Sequence, residues 1–199
     1  MVKHVAAISL AAFALFLPTA SFASTWELDP NHSAAHFSIK HMMVAKVRGE
    51  FSKLSGALSL DDKDPTKSSV EATIDVSSVD TGNERRDGHL KSPDFFDVEK
   101  FPSMTFKSRK VVRAPGGFKV TGDLSLHGVT KEVVLDLEGD TTVAKDPWGN
   151  AKIGGTATTH INRKDFGLTW NKALESGGVL VGEDVAITID MEFVQKAAH

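Results

Sequence analysis

The amino-acid sequence predicts an all-β, antiparallel barrel of about eight strands, with one or two short helices at one barrel end. Three observations carry this. Apolar and polar residues alternate with period two in run after run, the signature of strands with one buried face. Glycine, proline and aspartate separate the runs where hairpins need turns. Several runs can extend for about ten residues, roughly 33 Å, which favours a tall closed barrel over a compact sandwich. Closure also removes the exposed edges that an open sheet would leave.

The chain opens with a predicted export leader. Lys3 is a short positive region, an apolar run follows from Val5 to Leu17, and Pro18 ends it. Ser21-Phe22-Ala23 presents small residues for cleavage after Ala23. The run is shorter than the ~20 residues that span a bilayer. Residues 24–199 are expected to form one domain.

In chain order, Ala35, Phe37 and Ile39 alternate against His36, Ser38 and Lys40. Val70, Ala72, Ile74 and Val76 alternate against Glu71, Thr73, Asp75 and Ser77. Met104-Thr105-Phe106-Lys107 repeats the pattern. So do Phe118 and Val120, then Leu124 and Leu126, then Val133, Leu135 and Leu137. The clearest run is Val185 to Phe193, with Ile187, Ile189 and Met191 on the apolar face. Breaks fall at 61–65, 114–117, 127–130 and 146–150, and Gly49, Gly56, Gly154 and Gly155 predict bulges or sharp bends. Thr81 with Glu84 three residues on reads as a capping box opening a polar helix to Lys91. Ser92-Pro93 reads as a second cap.

Composition narrows the function classes. There are no cysteines, so disulfides, thiolate metal sites and cysteine nucleophiles are excluded. The net charge is −3 and becomes more negative once Lys3 is removed, a poor basis for nucleic-acid binding. No G-x-S-x-G elbow or Walker sequence is present, and Asp165-Phe166-Gly167 lacks the other kinase elements. His32 and His36 are four apart, but in a region of strand alternation, and no zincin glutamate accompanies them. No metal and no catalytic residue is predicted.

Several blocks of the sequence resemble the YceI-like family. Trp26-Glu27-Leu28-Asp29-Pro30-Asn31-His32-Ser33 and Phe37-Ser38-Ile39-Lys40-His41-Met42 are similar to its opening, and Val47-Arg48-Gly49-Glu50-Phe51 continues it. Val79-Asp80-Thr81-Gly82-Asn83-Glu84-Arg85-Arg86-Asp87-Gly88-His89-Leu90, running into 94–97 and Phe101-Pro102, is the most specific block. Residues 122–131 and Lys164-Asp165-Phe166-Gly167 resemble a later hairpin and a late loop. The resemblance implies a lipocalin-like barrel in the periplasm that binds a polyisoprenoid, an isoprenoid quinone or a similar long-chain amphiphile. It implies no cofactor beyond that lipid. Members are often dimers, with stress response and quinone handling both suggested as roles.

Phe37, Phe51, Ile74, Phe106, Phe118, Leu124, Ile187, Ile189, Met191 and Phe193 would line the barrel interior. Periodicity alone leaves a packed core and a ligand channel equally open. Ala35, Ala72, Gly155 and Ala157 at core-facing positions would leave room along the axis, and the resemblance favours a channel. A lipid head group would then sit at the mouth, near Arg85, Asp87 and His89 of the short helix and the loop residues Trp148 and Trp170. An enzyme acting on an isoprenoid or quinone head group is the alternative. An outer-membrane barrel is disfavoured by Glu71, Asp75, Lys107, Asp190 and Glu192 on outward faces. Transient contact of a soluble carrier with a membrane remains compatible with the sequence.

Overall fold

The computed structural model describes residues 23–139, 141–175 and 177–196, so the predicted leader, residues 1–23, lies almost entirely outside the described residues. Twelve strands form among them: β1 (Ser24–Leu28), β2 (Ala34–His41), β3 (Ala45–Phe51), β4 (Leu54–Leu60), β5 (Ser69–Asp75), β6 (Val79–Asp80), β7 (Ser103–Ala114), β8 (Gly117–Leu126), β9 (Val129–Glu138), β10 (Ala144–Lys145), β11 (Ala151–Asn162) and β12 (Val181–Gln195). One helix, α1 (Glu84–Lys91), interrupts them. All pairings are antiparallel, and the ring β1–β4–β5–β7–β8–β9–β11–β12 closes where β12 pairs with β1. The predicted eight-stranded closed barrel is what forms.

Three of the eight staves are each made of two short strands. β12 pairs first with β2, from Val181↔His41 to Asp190↔Ala34, and then with β1, from Phe193↔Leu28 to Gln195↔Trp26. The break between β1 and β2 follows from Asp29-Pro30. Asp29 turns the chain by accepting the Asn31 amide at 3.0 Å, and Ser33 Oγ accepts the Glu192 amide that the ladder leaves unpaired. β3 and β4 break at residues 52–53, and β5 and β6 at 76–78, where Asp75 accepts the Ser77 amide at 2.9 Å. Beyond these breaks β12, β2, β3 and β6 continue as a raised flap of sheet. The segment from α1 to Pro102 fills the gap this leaves before β7.

The N-cap of α1 is Asn83, whose side chain accepts the Arg86 amide at 3.0 Å. This corrects the expected cap at Thr81. Thr81 instead donates through its amide and hydroxyl to Asp87. No second helix follows Pro93. Consecutive turns form there, with Phe95 and Asp97 amides both donating to Ser92 O. The predicted glycine bulges also fall elsewhere. Register shifts occur between Ser108 and Lys110 and between Val181 and Val185. Gly49 instead makes room for a ring, since a Cβ there would lie 2.6 Å from Phe37 Cζ. Gly122 does the same for Phe106, at 2.5 Å.

Candidate functional site

Inward residues of all eight staves enclose a cavity of about 300 Å³. The alternation decides its chemistry. On β12, Val185, Ile187, Ile189, Met191 and Phe193 line it, while Asp184, Asp190 and Glu192 do not. Phe37, Phe51, Ile74, Phe106, Phe118 and Leu124 complete the ten residues expected to face inward, and all ten line the cavity. The small residues Ala35, Ala72, Gly155 and Ala157 line it too, and their missing volume is part of why the interior is hollow rather than packed.

The cavity runs the length of the barrel. At the α1 end it is bounded by Leu90, Phe95, Phe96, Leu168 and Val181, and at the opposite end by Pro65, Ser68, Ser69 and Thr141. Arg163 is the only lysine, arginine or carboxylate among the described residues that line it. Its side chain is buried, 3% exposed, and it donates to the carbonyls of Gly182 (Nε, 2.7 Å) and Leu168. Burial lowers its pKa from the ordinary arginine value, with the Glu183 charge acting in the opposite sense. Alternation does not flag Arg163, because a cation in an apolar wall contradicts it. The only signal was its position directly before Lys164-Asp165-Phe166-Gly167.

The five residues expected at the mouth are not brought together, and none of them lines the cavity. His89 and Trp170 do meet, with ring centroids 4.8 Å apart, and Phe95 packs against both at 5.0 Å, edge-on to His89 and tilted to Trp170, so this cluster covers the α1 end. His89 Nε2 also lies 2.8 Å from Asp94 Oδ2. Asp87 is occupied in fixing Thr81, and Arg85 projects into solvent. Trp148 sits at the opposite barrel end, in the turn before β11, and is 84% exposed.

Outside the barrel, one group of potential metal ligands occurs among the described residues: Asp29, His32 and Glu192. Lys152 already occupies its centre, with Nζ 3.0 Å from Asp29 and 2.8 Å from Glu192. Hydrogen bonds from His32 and then Lys152 hold the Asp29 pKa far below the ordinary carboxylate value. Glu192 and then Asp29 raise that of Lys152. The group is a structural ion cluster. Elsewhere the outer wall carries Glu71–Lys107, Arg109–Asp123 and Lys119–Asp136 pairs. A charged outside around an apolar inside is the reverse of a transmembrane barrel. Among the described residues no helix is long and apolar enough to cross a membrane.

These features define a class: closed antiparallel barrels built around an apolar internal cavity. The comparisons then give the family. The YceI-like domain profile matches residues 26–193, and the chain belongs to that family. The UPF0312 protein SA2479 of Staphylococcus aureus strain N315 is 40% identical over 171 residues, covering 85% of this chain and 97% of the relative. The crystal structure of the Campylobacter jejuni YCEI protein is 34% identical, with a TM-score of 0.67, covering 80% of this chain and 91% of that one. A polyisoprenoid binding domain from Saccharophagus degradans shares the fold at a TM-score of 0.61 and 17% identity, covering 87% of this chain and 99% of that one.

Proposed function

We propose that this protein is a carrier that holds one long-chain isoprenoid lipid, a polyprenyl chain, an isoprenoid quinone or a similar amphiphile, inside the barrel. The cavity carries this reading, because its wall offers apolar area along its whole length and few directional groups. Such a wall suits a chain whose binding scales with buried surface, about 0.8 kcal/mol per CH₂ before ordering costs. The polyisoprenoid-binding fold neighbour supports the choice of ligand. The leader pattern in residues 1–23 supports action in the periplasm, where the carrier would transport, store or sequester its lipid, including under stress. The reading involves no cofactor and no turnover.

The test is mass spectrometry of the lipid extract from protein purified after export without detergent. A stoichiometric isoprenoid or quinone is the expected result. Protein that is empty and also refuses added polyprenyl lipid would overturn the reading.

A further inference from the structure

We propose that the tip of the β2–β3 hairpin docks on a bilayer containing anionic lipid and sets the α1 end of the cavity against it. The proposal rests on the carrier reading and adds the partner and the surface. The first observation is an apolar tip in solvent. Met42, Met43 and Val44 are 46%, 55% and 88% exposed. Met42 and Met43 have φ of 51° and 63°, and the Val44 amide donates to His41 O, which makes a primed turn. Such turns favour Asn-Gly, so two methionines there meet no demand of the backbone. They also gain little burial from the fold.

The second observation is charge. Lys40 and Lys46 stand directly opposite each other on the outward face of the hairpin, with Arg48 next along β3. Like charges so placed repel. Among the described residues none of the three has an ion-pair partner, so no carboxylate at contact distance offsets their charge, as Glu71 does for Lys107. Lys172 adds an exposed cation on the neighbouring loop, where Glu175 is the exposed acid. A cationic collar around an apolar tip, on a chain whose net charge is −3, complements an anionic lipid surface.

The third observation is continuity. The inner face of the same hairpin, Phe37 and Ile39, is cavity wall, and the wall extends to Val181, which pairs with His41 at the tip. A lipid leaving a bilayer at the tip would therefore meet apolar surface all the way in. The opposite end lacks this arrangement, because exposed Trp148 and Val143 sit there among residues of both signs, including Lys145 and Asp146.

Flotation with phosphatidylcholine vesicles, with and without phosphatidylglycerol, tests this. The wild type should float only with the anionic vesicles. Met42→Asn/Met43→Gly, which suits the turn, and Lys40→Gln/Lys46→Gln should each cut the bound fraction about tenfold. Farnesol uptake without vesicles should be unchanged in both variants. Wild type that ignores anionic vesicles, as it would if a protein were the tip's partner, overturns the proposal. So does flotation that survives both variants, or that is lost with Trp148→Ser instead. Failure of farnesol uptake in the wild type would count against the carrier reading, and flotation would still judge the tip.

Discussion

At the α1 end the chain closes the barrel with rings. Phe37, Phe51 and Phe96 form a chain of contacts at 5.6 Å, His89, Phe95 and Trp170 form a second group, and Phe101 packs on His127 at 4.6 Å. At the opposite end it closes with carboxylates. Asp61 accepts the Lys63 and Asp64 amides, Asp146 accepts the Trp148 and Asn150 amides, and Asp29 and Glu192 grip Lys152. The difference is one of direction. Phe95 and Phe96 can part from their neighbours without stranding a polar group, leaving only His89 with a polar contact to lose, to Asp94 at 2.8 Å, whereas parting a carboxylate from an amide leaves both unsatisfied unless water enters. The aromatic end is thus the one suited to open, and the carboxylate end is the fixed base.

The largest expected effect removes the wall on which both ends depend. Ile189, midway along β12, packs against the buried residues of the barrel interior. Ile189→Asp places an unpaired carboxylate in apolar surroundings and should cost about 3–5 kcal/mol, read as a fall in the denaturant midpoint with loss of bound lipid. A variant that folds and keeps its full lipid content would show that this part of the wall does not face ligand. Phe95→Ala sharpens the contrast. It should cost about 3 kcal/mol, speed hydrogen exchange across residues 84–102, and hasten lipid release. Exchange near Asp61 and Asp146 should stay unchanged.

The strands and their inward faces were legible because the chemistry of a half-buried strand is written locally. Every second residue from Val185 to Phe193 is apolar, and those residues line the cavity. Asp29-Pro30 marks a break, but not that the chain resumes on the same stave, which is set by Ser33 meeting Glu192 across the sheet. Arg163 escapes alternation because its acceptors, Leu168 just beyond it and Gly182 at the start of β12, come together only when the connection between β11 and β12 folds back. Trp148 was grouped with the α1 residues although successive connections alternate between barrel ends. Three strands of the ring, β7, β8 and β9, separate α1 from the connection to β11, in which the two-residue β10 only pairs back on the start of β11, so the odd count puts them at opposite ends. The strands were readable in the sequence, and counting them would have separated the two groups.

Acid should weaken the cluster that Asp29 forms with Lys152. The folded pKa of Asp29 lies below its ordinary value near 4. Its stabilisation is therefore complete above that value and is lost as pH falls toward the folded pKa. The thermal midpoint should drop below about pH 4, and Asp29→Asn should flatten that limb. Asp64, Asp75, Asp146 and Glu183, at both barrel ends, are lowered in the same direction, so part of the limb should remain. A limb unchanged in Asp29→Asn would mean the Lys152 cluster does not hold the carboxylate end.

The smallest expected effect separates exposure from importance within the fixed base. Trp148 is the most exposed large ring at that end, yet its turn is held by Asp146 acting on the Trp148 and Asn150 amides, with Asn150 Nδ2 donating at 2.8 Å. The indole contributes nothing to those bonds. Trp148→Ser should therefore change stability by less than about 0.5 kcal/mol and leave lipid exchange untouched. Asp146→Ala removes the acceptor of both amides and should loosen the turn by about 1 kcal/mol, read as faster hydrogen exchange at Trp148 and Asn150. If Trp148→Ser instead slowed lipid exchange, the carboxylate end would be a working mouth, and the division between an opening end and a fixed one would have to be reversed.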